Sequence, residues 1–151
     1  MAHNDIDRVQ VVREMFSTNG PHTPESMIAA AEAIAELWRY LGHATISGTR
    51  EILTDPADAY TLTGALAAAD RSSVDVLERL ALYARNIGDE STYTKHFGIT
   101  DPDGSYDQIQ SLMNRVTSHL REAASNQGAA AGWLDRAHSQ LSFVYRDQED
   151  D

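Results

Sequence analysis

Glu32, Glu36, Arg39 and His43 stand at i, i+4, i+7 and i+11. That spacing brings all four to one face of a helix, with Tyr40 at the edge of the face. Glu36 is placed to pair with Arg39, worth roughly 0.2–0.5 kcal/mol on a helix surface. The ordinary account of such a stripe is a solvated face carrying one ion pair. The functional account is a partner-binding surface, because Arg and Tyr are residue types that anchor protein interfaces. A Glu–His acid/base pair is a third reading, and it needs a pocket for which no sequence feature argues.

A second constellation lies near the C-terminus. His119 and Glu122, and again Asp135 and His138, place a histidine and a carboxylate at i, i+3. On two antiparallel helices the pairs would sit at similar heights, as Glu-x-x-His elements do in di-iron bundles. A metal centre through His119, Asp135 and His138 is the remote reading. It lacks the further inward carboxylates that ligand count and geometry demand. The expectation is therefore no metal and no cofactor, with histidines at the boundary of apolar stripes.

Other chemistries drop out quickly. The 151-residue chain has no cysteine, which removes thiol nucleophiles, zinc ribbons, iron–sulfur clusters and disulfides together. Gly104 stands at the fourth position of Asp101-Pro102-Asp103-Gly104, not the sixth, so the run is a turn signal and not an EF-hand loop. No G-x-x-x-x-G-K, G-x-G-x-x-G or G-x-S-x-G sequence occurs. Tyr93, Lys95, His96 and Phe97 fall in a long loop, either a binding tip or a loop folded back on the protein. Trp38 and Trp133 lie near apolar faces, and core packing is the expectation for both.

The elements that must position these residues are helical. Ile6, Val9, Val12 and Phe16 predict a first helix, and residues 17–22 (STNGPH) break it. Thr23 then caps a second helix, with Pro24 at its first position and Glu25 in its first turn. Met27, Ala30, Ala31, Ile34, Leu37, Trp38 and Leu41 occupy about a third of its circumference. Gly42 is expected to end it or to sit in its last turn. Residues 45–54 read as a loop with one helical turn near Arg50–Leu53.

Asp55 and Pro56 open a third helix that runs to about Asp70, with Ala59, Leu62, Leu66 and Ala69 inward. Gly64 costs it about 1 kcal/mol relative to Ala, or permits close helix approach. Ser72 or Ser73 starts a fourth helix, with Val76, Leu77, Leu80, Ala84 and Ile87 inward and Gly88 as its stop. Residues 89–104 form the longest loop. A fifth helix, with Ile109, Leu112, Met113, Val116, Leu120 and Ala123 inward, ends at a break over 126–128. A sixth reaches Arg146 with Leu134, Ala137, Leu141, Val144 and Tyr145 inward. The fold expectation is all-α: a compact bundle of five to seven mostly antiparallel helices, one domain over 1–146, and an acidic disordered tail over 147–151.

Residues 35–45 (AELWRYLGHAT) resemble a segment, ELxRYLNxAT, of a group of small actinobacterial helical proteins without an established activity. Those proteins follow it with a Pro-x-x-x-Tyr helix start. Here that element is Pro56 to Tyr60, then Thr63-Gly64-Ala65-Leu66. Gly42 stands where the group has Asn. The resemblance spans about a third to a half of the chain. It implies a helical fold and an actinobacterial origin, with a phage, plasmid or other mobile element as the setting, and it transfers no site.

The chain carries a formal charge of −11 and a pI near 4.8. Direct nucleic-acid binding and adsorption to anionic membranes are therefore disfavoured. No apolar run reaches the ~20 residues that a membrane span takes, and the first ten residues lack the basic and apolar regions of a secretory signal. These features point to the cytoplasm. The leading functional expectation is a non-enzymatic protein-interaction or accessory module that binds a protein partner or self-associates. The alternative is an acidic inhibitor that mimics DNA towards a nucleic-acid-binding protein.

Overall fold

The computed structural model describes residues 7–46, 48–89 and 102–144. Every regular element among them is helical: α1 (Arg8–Met15), α2 (Pro24–Ile46), the single turn α3 (Thr49–Ile52), α4 (Pro56–Asp89) and α5 (Pro102–Leu141). The chain divides into two units, Met1–Ile52 and Leu53–Asp151.

In the first unit, side-chain caps set the helix starts. The Asp7 carboxylate accepts from the backbone N–H groups of Val9 and Gln10 at 3.0 and 3.1 Å. At α2 the exchange is reciprocal. Thr23 Oγ1 accepts from Ser26 N at 3.1 Å, and Ser26 Oγ accepts from Thr23 N at 3.0 Å. Two otherwise orphan donors are satisfied together, as in a capping box. Of the two readings of Gly42, terminator or residue near the last turn, the helix follows the second and runs four residues past it. Thr45 Oγ1 donates back to the carbonyls of Leu41 and Gly42 at 3.0 and 2.9 Å, and α2 continues to Ile46. Helical turn α3 matches the turn expected near residue 50.

In the second unit, two expected helix pairs are each one helix. Ser72 and Ser73 do not cap a new element. Their hydroxyls donate to the carbonyls of Ala68 (3.0 Å) and Asp70 (2.7 Å), which leaves the backbone ladder of α4 running through. Likewise α5 passes straight through Asn126-Gln127-Gly128. Gly88 lies inside α4, and Pro102 opens α5 as its first residue, so the turn expected at 101–104 gives way to helix from 102 onward. Helix α5 stops at Leu141 and not at Arg146. The described helices therefore number four of eight residues or more, below the expected five to seven, and all-α stands. Residues 90–101, where a loop with Tyr93 to Phe97 is expected, and residues 147–151, where a tail is expected, lie outside the described residues.

The reason that α4 and α5 override their breakers is the seam between them. His138 meets Tyr60, Gln127 meets Asp70 and Thr117 meets Ala81, at chain separations of 78, 57 and 36 residues. Separation falls steadily along the pair, so the helices are antiparallel. Seam positions alternate in steps of three and four: 60, 63, 67, 70, 74, 77, 81 and 84 on α4, and 113, 117, 120, 124, 127, 131, 134, 138 and 141 on α5. That is a heptad repeat, the period of a left-handed coiled coil. Breaking either helix at its serines or at Gly128 would leave half of this seam unpaired.

Small side chains fill its centre. Ala67, Ala81, Ala84, Ala124 and Ala131 are buried, with Asp70 and Thr117 the buried polar residues. The Gln127 amide donates to the Asp70 carboxylate, and Thr117 Oγ1 donates to the Ala81 carbonyl at 3.4 Å. These polar contacts fix the register of a seam whose alanines would tolerate sliding.

Candidate functional site

The seam leaves two broad faces on the α4–α5 hairpin. Antiparallel helices are related by a two-fold axis perpendicular to their common plane, and such an axis maps each face onto itself. Residues one step before a seam position thus share one face, whichever helix they come from. Residues one step after share the other.

The face one step after the seam is polar. Arg71 and Asp135 belong to it and meet across the helices, with Arg71 Nη1 donating to both carboxylate oxygens at 2.6 and 2.7 Å. Glu78, Leu82, Arg121, Ser125 and Gly128 belong to it as well, and they line one shallow groove over Val74 and Ala124.

The face one step before the seam carries no Asp, Glu, Lys or Arg at all. From α4 it takes Ala59, Leu62, Leu66, Ala69, Ser73, Val76, Leu80 and Tyr83. From α5 it takes Leu112, Val116, His119, Ala123, Asn126, Ala130, Trp133, Ala137 and Gln140. Val76, Tyr83 and Trp133 are 55%, 60% and 67% exposed, and Leu62, Leu66 and Val116 are half-buried. The Arg136 guanidinium lies 4.5 Å from the Trp133 ring and rims the face at one end.

Most of the large residues expected to be core thus lie one helical step away from the buried seam. The amphipathic stripe of each helix is wide enough for two rows of contacts. The seam uses one row, and its most deeply buried apolar positions are alanines, where small side chains let the backbones approach. Trp38 and Trp133, both expected in the core, are 49% and 67% exposed.

The metal constellation is not assembled. Asp135 is held by Arg71. His138 Nδ1 lies 2.8 Å from the Tyr60 carbonyl oxygen, and its ring stacks on Tyr60 with centroids 3.8 Å apart. His119 is 16 residues before Asp135 on the same helix, about 24 Å along its axis at ~1.5 Å per residue. Among the described residues no three His, Asp or Glu side chains could hold one ion.

Glu32, Glu36, Arg39, Tyr40 and His43 all lie on α2 and are exposed. Arg39 pairs with Glu36, and both side chains are more than two-thirds exposed, so the pair contributes little to stability. Tyr40 stands beside it. The apolar side of α2 is equally open: no α2 residue is buried, and Met27, Ile34, Leu37 and Trp38 are all exposed.

Charge is unevenly placed. Between Ala59 and Ile87, and between Ile109 and Leu141, the hairpin carries five acids (Asp70, Asp75, Glu78, Glu122, Asp135). Against them stand six arginines (Arg71, Arg79, Arg85, Arg115, Arg121, Arg136). The body of the hairpin is close to neutral although the chain is not. Residues 147–151 alone hold four acids.

Comparison of the chain with protein families, curated proteins and solved structures finds no match. The surface itself is the functional lead. None of the described helices is long and apolar enough to cross a membrane. The uncharged face is partly legible in the sequence, because many of its residues are apolar and recur at helical spacing. What the sequence reading missed was the heptad phase, which separates the seam row from the row beside it.

Proposed function

We propose that the protein is a non-enzymatic protein-interaction module whose binding surface is the uncharged face of the α4–α5 hairpin. One observation carries the reading: among the described residues, a face without charge keeps Val76, Leu80, Tyr83, Leu112 and Trp133 exposed, while the row beside it packs into the seam. Large apolar surfaces of this kind mark interaction sites on soluble proteins. Burying one such side chain fully is worth about 1.5–3 kcal/mol, and at the exposed residues of the face most of that is unrealised. Tyr83 and Trp133 are the anchors, as aromatic residues are in interface hot spots. The exposed Glu32, Glu36, Arg39, Tyr40 and His43 stripe of α2 is a second, polar contact region of the same module.

The test is an affinity capture from extract of the source organism, with wild-type protein and a Val76→Glu/Trp133→Glu variant as bait. Stoichiometric recovery of a protein by the first and not by the second supports the reading. Equal recovery by both places the interaction elsewhere.

A further inference from the structure

Resting on that reading, we infer that the occupant of the uncharged face is the same face of a second copy, so that two hairpins close into a four-helix bundle. Three features of the face select a copy of this chain.

The first is size. From Ala59 to Tyr83 the face runs about 36 Å at ~1.5 Å per residue, and two helices side by side are about 20 Å wide. The flat projection is about 700 Å², and protruding side chains enlarge the accessible area beyond it. A stable interface needs about 800 Å² per partner.

The second is shape. Ala69, Ser73, Ala123 and Ala130 occupy the middle of the face, with Leu62, Leu66 and Trp133 on one side of it and Val76, Leu80 and Tyr83 on the other. Helices that pack at about 20° approach closest where they cross and diverge on either side. A small-residue waist with bulky ends is the profile that fits a crossing of like on like. Under a two-fold axis through the waist, the Tyr83 end of one copy covers the Trp133 end of the other. Ser73 and Asn126 lie beside the axis, where one polar layer sets the alignment of an otherwise apolar bundle.

The third is charge. Two chains at −11 each repel, but the repulsion acts where the charge is. The hairpin body is nearly neutral and the face has no charge. A strongly basic partner would find no carboxylate on this face to meet.

The experiment uses the full chain, at micromolar concentration, in sedimentation velocity and light scattering. The expected species is a dimer, at twice the chain mass of 16.6 kDa. Val76→Glu/Trp133→Glu, at two well-exposed positions, should weaken dimerisation at least thirtyfold, the effect of losing one hot spot. Its circular dichroism should match wild type. Leu37→Glu on α2 should leave the dimer intact. Because the chain has no cysteine, single-thiol variants give an independent reading. Ser73→Cys should be captured as a covalent dimer by a short bis-maleimide, and Asp75→Cys on the polar face should not.

A wild-type chain that stays monomeric overturns the second-copy inference. So does a dimer that Leu37→Glu dissolves and Val76→Glu/Trp133→Glu does not. A monomer that still captures another protein through Val76 and Trp133 overturns the inference and leaves the interaction module standing. A monomer whose captures ignore that face ends both.

Discussion

Gly64 on α4 and His138 on α5 are matched as a hole and its filling. A Cβ at Gly64 would lie 2.7 Å from His138 Cε1 and 2.9 Å from Nδ1, inside any real contact distance. The imidazole occupies that space, stacks on Tyr60 and faces the Tyr60 carbonyl oxygen, to which the Nδ1-protonated ring donates. The glycine thus serves the close approach of the helices.

Two glycines should answer alanine with opposite signs. Gly64→Ala gains about 1 kcal/mol of helix propensity but overpacks a filled site, a cost of about 1–3 kcal/mol. Thermal unfolding should show net destabilisation, and Gly64→Ala/His138→Ala should recover much of it. Gly42 has no atom within 4 Å of an added Cβ, so Gly42→Ala should raise helicity and stabilise α2 by up to about 1 kcal/mol. An increase in stability from Gly64→Ala alone would contradict the packing described.

Asp70 and Gln127 form a polar pair within the seam, Asp70 buried and Gln127 half-buried. Gln127→Ala removes the donor and leaves a buried carboxylate unpartnered, which should cost about 1–3 kcal/mol in chemical denaturation. Replacing both, as Asp70→Leu/Gln127→Leu, should be neutral or stabilising, as for buried polar groups exchanged together. If the single and double variants are equally unstable, the pair does not act as a unit.

Arg71 and Asp135 are each about half exposed, so their bond is screened. Arg71→Ala should lower stability by no more than about 1 kcal/mol, less in high salt. Zn, Mn or Fe(II) at saturating concentration should not shift the melting temperature of wild type or of Arg71→Ala. A shift that needs Asp135 and His138 would revive the metal reading.

At the start of α2, the Glu25 carboxyl is held below the usual glutamate range by a backbone hydrogen bond first and by the Thr23 hydroxyl second. A lowered value means that the ionised form stabilises the helix start. That contribution is fully present above the ordinary glutamate pKa and is lost as pH falls through the lowered one. Helicity monitored during acid titration should drop in that window, and Glu25→Gln should flatten this part of the curve. An identical titration of the variant would assign the drop to other groups.

Much of the local structure can be read from the chain. Caps at Asp55 and Thr23, Pro at Pro24 and Pro56, and apolar spacing of 3.6 specify helices because these signals act within one turn. The breaker signals at Ser72-Ser73 and Asn126-Gly128 are local too, and there the reading fails. A seam that pairs residues 36 to 78 positions apart outweighs a local preference worth about 1 kcal/mol. The candidate surface follows the same division. Amphipathic periodicity and uncharged apolar stripes are properties of the chain, legible residue by residue. Which row of each stripe forms the seam depends on the partner helix. Two helices can bury only one row each against the other, and the buried row is the one that holds the cross-helix contacts of His138 with Tyr60, Gln127 with Asp70 and Thr117 with Ala81. Leu80, Tyr83 and Trp133 were left on the open face.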